Sequence, residues 1–121
     1  MIKLNSVLLG KWGEAEAAKY LRNKKYKIIG ANYKTRFGEI DIIAENKKYI
    51  VFVEVKLRKS SEYAEAFEFV TEKKQSRIRT TAEAWLAQND TDKCVRFDVI
   101  EIYAPHGVNG ECILNHIEEA F

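Results

Sequence analysis

The stretch running from Phe37 to Arg58, F-G-E-I-D-I-I-A-E-N-K-K-Y-I-V-F-V-E-V-K-L-R, decides how the remainder of the chain is read. In its second half Ile50, Phe52, Glu54 and Lys56 fall on one face of a strand, and Val51, Val53, Val55 and Leu57 on the other. A carboxylate and an ammonium two residues apart on a strand point the same way. Gly38 opens a preceding strand in which Glu39 and Asp41 share one face, and Ile40 and Ile42 the other. The short polar connection from Glu45 to Lys48, with Asn46-Lys47-Lys48 as its turn, makes the two strands antiparallel neighbours. Asp41, Glu54 and Lys56 are therefore expected in one place.

The flanking segments supply the other elements. Asn5 or Ser6 caps a first helix to about Lys25, with Val7, Gly10, Glu14, Ala17, Ala18 and Leu21 along one stripe. Small residues there allow close approach to a sheet. Glu14 is anomalous in an apolar stripe, because a buried carboxylate needs a cation or hydrogen bonds; a metal-linked role and a helix-edge salt bridge are both open. Tyr26 to Tyr33 reads as a strand centred on Ile28 and Ile29. Residues 59–69 break the pattern as a loop positioned to cover whatever binds beside the third strand. Thr71 caps a second helix to about Gln88, with Ile78, Thr81, Ala82 and Trp85 as its buried stripe. Lys74 and Gln75 lie one turn earlier on that side. Arg77 and Arg79 are more widely exposed, and Arg79 and Lys73 read equally as solubilising charges or as phosphate contacts. Val95 to Ala104 alternates strongly, Phe97, Val99 and Glu101 against Asp98, Ile100 and Ile102, and Cys112 to Ile117 reads as a short edge strand. Asp98 is read as structural unless it faces the site.

The 121 residues, 46% of them hydrophobic, make one domain, residues 1–121, with a core between two or three layers. No apolar run reaches the ~18 residues of a membrane-spanning helix, and the amino terminus lacks a signal-peptide pattern, so a cytoplasmic location is the default. Cys94 and Cys112 have no metal-binding spacing and read as reduced, part-buried thiols. His106 and His116 are isolated and read as surface or satisfied histidines. The net charge of +2 conceals an asymmetry: residues 1–36 carry nine Lys/Arg against two Asp/Glu, and residues 80–121 carry two against eight. If the basic residues share one side they attract a polyanion; a solvated helix face is the bland alternative.

Spacing alone proves little, since Glu45/Lys47, Glu54/Lys56 and Glu72/Lys74 all read E-x-K. Only Glu54/Lys56 lies inside an apolar strand, where charges are least expected. Hard oxygen donors from Asp41 and Glu54 suit Mg²⁺ or Mn²⁺, which bridge to phosphate and acidify water for in-line attack. Lys56 suits orienting that water or neutralising developing charge, and Glu14 suits holding a metal-bound water or a second ion.

The ordered set G-x-x-G-E-x-x-A (Gly10 to Ala17), R-x-G-E-I-D (Arg36 to Asp41), F-V-E-V-K (Phe52 to Lys56), V-T-x-K-K-Q (Val70 to Gln75) and R-F-D-V (Arg96 to Val99) resembles the YraN-type family of small bacterial proteins. That family is similar to archaeal Holliday junction resolvases, within the PD-(D/E)xK, restriction-endonuclease-like nucleases. The resemblance implies an α/β core with a mixed sheet flanked by helices, and a Mg²⁺-dependent endonuclease of branched or structured DNA working as a symmetric homodimer. Carried over by position, Glu14, Asp41 and Glu54 match the acidic residues, Lys56 the lysine, and Lys74 and Gln75 the helix positions near phosphate. Arg36, Arg58 and Arg77 are the further basic residues assigned to the nucleic acid. Ile40 stands where the superfamily signature has proline. A nucleic-acid-binding or assembly module on the same fold, without appreciable turnover, is the alternative.

Overall fold

The computed structural model describes residues 6–58, 70–105, 108 and 110–121. Its elements are α1 (Ser6–Asn23), β1 (Lys27–Thr35), β2 (Gly38–Glu45), β3 (Tyr49–Arg58), α2 (Glu72–Gln88), β4 (Cys94–Tyr103) and β5 (Ile113–Ile117). The expected loop over residues 59–69 and His106 lie outside the described residues.

The strands form one sheet in chain order, β1-β2-β3-β4-β5. The β1–β2, β2–β3 and β4–β5 pairs are antiparallel, and β3–β4 is parallel from Tyr49↔Cys94 to Arg58↔Tyr103. A parallel neighbour requires a crossover, and the crossover here contains α2. The expected α/β fold with a mixed sheet and flanking helices is what the chain adopts.

Each face of the sheet carries its own core. Val51, Val53, Ile100 and Ile102 pack with Ala17 and Leu21 of α1, while Ile50, Phe52 and Val99 pack with Ile78 and Ala82 of α2. The period-two alternation of β3 and β4 is therefore used on both sides, with helices on opposite faces. The expected α1 stripe is buried at Ala17 and Leu21 but not at its amino-terminal end. Gly13, Ala17 and Leu21 are buried, whereas Val7 is 65% exposed and a side chain at Gly10 would meet open space. The helix is thus more exposed in its first turns, at Val7 and Leu8, than from Gly13 onward.

Chain ends of the helices follow their local chemistry. Lys25 takes φ 73°, and the amides of Lys25 and Tyr26 donate to the carbonyls of Arg22 and Leu21, a Schellman closure that satisfies the last carbonyls of α1. At α2 the Thr71 hydroxyl accepts from the Lys74 amide at 3.2 Å. Thr71→Ala is expected to cost about 1 kcal/mol in denaturant unfolding; a change below a few tenths would show that the cap is redundant. Asn46 closes the β2–β3 turn by accepting from the amides of Lys48 and Tyr49 at 2.9 and 2.8 Å. Cys94 and Cys112 are both free, but Cys94 is exposed rather than part-buried, because it begins β4 at the sheet margin.

Candidate active site

The site is built where β2 and β3 part. Their ladder runs from Glu45↔Ile50 to Ile42↔Val53. Beyond it the Val55 amide donates to Asp41 Oδ2 at 2.8 Å, a side chain standing in for the ladder. Strand β2 also turns over here: Ile42 packs on the α1 side and Ile40 on the α2 side. The expectation that these two isoleucines share a face is thus corrected. Past Ile42 the strand is no longer held flat between two partners, and Asn32 on the adjoining stretch of β1 takes φ 52°.

Glu54 is 7% exposed on the same face as Ile50 and Phe52. Its Oε1 lies 3.3 Å from Lys56 Nζ and 2.6 Å from Lys74 Nζ. Two ammonium groups on one buried oxygen satisfy the charge that the apolar strand could not. Burial pushes the Lys56 ammonium down, with neighbouring Lys74 adding to this against the attraction of Glu54. For Lys74, burial also works against the charge, but the Glu54 contact outweighs it and holds the group above its ordinary value. Asp41 goes the other way: burial, then repulsion from Glu54, push its carboxyl up to about 7 despite the Val55 hydrogen bond, and Glu14 and Glu39 add to the rise. Asp41 therefore changes protonation near neutrality.

A cleft of about 570 Å³ opens over Asp41, Glu54 and Lys74, lined also by Gly38, Glu39, Thr71, Lys73, Arg77 and Ile78. On the α1 side a second hollow of about 300 Å³ includes Lys11, Glu14, Arg22, Asn32 and again Asp41. Asp41 thus borders both, and Glu14 approaches it from the opposite layer to Lys74. Among the described residues no three Asp, Glu, His or Cys side chains come together as a ready-made metal cage. Asp41 and Glu54 are nevertheless hard oxygen donors in mutual electrostatic contact, which fits a cation such as Mg²⁺ that retains several waters.

The remaining expected residues divide. Arg77 lines the cleft. Arg36 is on the β1–β2 turn, its Cζ 4.8 Å from the Phe37 ring centroid. Arg58 is anchored to Glu101 at 3.3 Å, and Gln75 donates to the Val70 carbonyl at 2.9 Å, which holds the start of α2. Arg79 lies against the rings of Phe97 and Phe121, away from the cleft lining. Asp98 is turned to the α1 side, bonded to Arg96 and His116, so the structural reading holds and His116 is a satisfied histidine. What sequence reasoning missed is that Lys74 touches Glu54 directly. The third position of a capped helix, aimed at the strand, was its signal.

The model of the uncharacterised protein family UPF0102 matches residues 13–102, which include Glu14, Asp41, Glu54, Lys56 and Lys74. The chain belongs to UPF0102. This is the family whose YraN-type members the ordered motifs resemble. A UPF0102 protein of Alkaliphilus oremlandii (strain OhILAs) is 44% identical over 116 aligned positions, covering 93% of this chain and 97% of that relative. Another from Geobacter metallireducens is 47% identical over 102 positions, covering 84% of each. A third, UPF0102 protein TTE1452 of Caldanaerobacter subterraneus, is 42% identical over the full length of both. UPF0102 similarity therefore runs through both helices and the whole sheet. No helix among the described residues is long and apolar enough to cross a membrane.

Proposed function

We propose that this UPF0102 protein is a Mg²⁺-dependent (or Mn²⁺-dependent) endonuclease acting on branched or structured DNA, akin to the Holliday junction resolvases of the restriction-endonuclease-like class. The observation that carries the reading is the meeting of Asp41, Glu54 and Lys74 in the lining of one open cleft, with Lys56 against Glu54. Asp41 and Glu54 would hold the metal, with Glu14 approaching Asp41 from the other side of the sheet. The metal supplies charge neutralisation and a more acidic water at the scissile phosphate. Lys56 sits within reach of Glu54 to orient the attacking water or to neutralise developing charge. Lys73, Lys74 and Arg77 on α2 give the cleft wall the positive charge that a phosphate backbone requires. One such site per chain accounts for one strand, so two symmetric cuts call for a homodimer.

Junction, flap, single-stranded and duplex DNA incubated with Mg²⁺ or Mn²⁺ provide the test. Cutting of the branched or unpaired substrates is expected, lost in Glu54→Gln. Equal cutting by that variant, or none by the wild type, sinks the reading. A second reading, a DNA-binding or assembly module without turnover, is favoured by the Lys74 ammonium that neutralises Glu54. Binding that persists in EDTA without product would establish it.

A further inference from the structure

The turn between β1 and β2 carries two exposed side chains that neither the core nor the carboxylate–lysine cluster uses. Phe37 is 44% exposed, and the Arg36 guanidinium lies over its ring. A single exposed aromatic is ordinary, but this one is placed and held. The Thr35 hydroxyl accepts from the Phe37 amide at 3.1 Å and lies 3.4 Å from the hydroxyl of Thr81, a fully buried residue of α2. Gly38 permits the approach: a Cβ there would come within 3.3 Å of Thr81 Oγ1 and 3.5 Å of Arg77 Cβ. Gly38 and Glu39 line the cleft beside Asp41, so Phe37 is one residue along the chain from that lining.

We propose that Phe37, backed by Arg36, is a stacking platform for an unpaired base of the bound strand. The enzyme then favours DNA whose nucleotides are unpaired beside the cut over continuous duplex. Bases inside a duplex have both faces covered by their neighbours, whereas an unpaired base offers a free face to an aromatic ring. A guanidinium on one face of the ring and a base on the other makes a stack in which both contacts are favourable. Lys73, Lys74 and Arg77 along the cleft carry the phosphates on either side of that base. The inference rests on the nuclease reading for its substrate, but its signature is in binding.

The test is equilibrium binding in EDTA of short single-stranded, flap and blunt duplex DNA, with 2-aminopurine placed in turn along the unpaired segment. Phe37→Ala is expected to weaken the single-stranded and flap complexes about ten-fold, with duplex binding changed less than about two-fold. Phe37→Trp is expected to restore affinity, together with the quenching of one 2-aminopurine position that Phe37→Ala loses. Equal weakening on duplex and unpaired DNA, or no position quenched by the wild type, overturns the platform. The two ideas fail separately. Binding and quenching without cutting removes the nuclease and keeps the platform, whereas cutting with unaltered binding by Phe37→Ala removes only the platform.

Discussion

Asp98→Ala is expected to destabilise the protein by about 3–5 kcal/mol, because it strands a buried cation. Arg96 is 6% exposed and Asp98 is fully buried. The guanidinium meets the carboxylate through Nε at 2.9 Å and Nη2 at 2.8 Å, and Nη2 also donates to the Tyr26 hydroxyl at 2.6 Å. His116 Nε2 lies 2.7 Å from Asp98 Oδ2 and its Nδ1 lies 3.0 Å from the Tyr20 hydroxyl, so β4 and β5 meet on this carboxylate and α1 is tied to it through His116. With Asp98 gone, the carboxylate left near Arg96 is that of Glu118, at 3.7 Å and half exposed, too well solvated to compensate. Burial works to raise the Asp98 carboxyl, but the bonds from His116 and Arg96 overcome it and hold the group below its ordinary value. A depressed carboxyl contributes its stability above the unfolded value, near 4, and loses it as pH falls through the folded one. Urea unfolding at pH 7 checks the magnitude, and its shrinkage below about pH 4 checks the origin. A loss under 1 kcal/mol at neutral pH would mean that Arg96 finds another partner.

The second large effect has the opposite sign. Asp41→Asn is expected to stabilise the metal-free protein by about 2–4 kcal/mol at pH 8, following the rise of Asp41 to about 7. The folded state holds this proton up to about pH 7 and the unfolded chain releases it near pH 4, so the wild type loses stability as pH rises between those values. Asn cannot be charged, and its carbonyl still accepts from the Val55 amide. The variant should therefore match the wild type at pH 3.5, where the native carboxyl is neutral in both states, and exceed it progressively toward pH 8. Thermal melts in EDTA across that range are the measurement; a gain independent of pH would assign the effect to packing. Under the nuclease reading the same variant no longer cuts, and Mg²⁺ raises the melting temperature of the wild type at pH 8 but not that of the variant.

Most of the architecture was legible because the two faces of β3 and β4 follow strict alternation, and the caps at Thr71 and Asn46 carry their own chemistry. The errors have local physical causes. Val7 and Gly10 fitted the periodicity of α1, but periodicity cannot say where along a helix burial begins. The split of Ile40 from Ile42 depends on β3 leaving β2 after Ile42, a tertiary event without a sequence marker. In the site, Glu54 and Lys56 follow from strand geometry alone. The ion pair from Lys74 needs the docking of α2, and the placement of Glu14 against Asp41 rather than Glu54 needs the layer order.

The parallel pairing of β3 with β4 bears on how the chain reaches this state. Tyr49 and Cys94 are neighbours in the sheet although the whole crossover separates them, so their contact must await a long loop closure, whereas β1, β2 and β3 meet through two tight turns. The β1–β2–β3 meander is expected to be ordered in the transition state, and β4 with β5 to join later. Asp41 and Glu54 would then be brought together early, with Lys56 of the same strand as the cation beside Glu54. The Lys74 ammonium would reach Glu54 only when α2 docks, so the second half of this carboxylate's charge balance waits on the crossover.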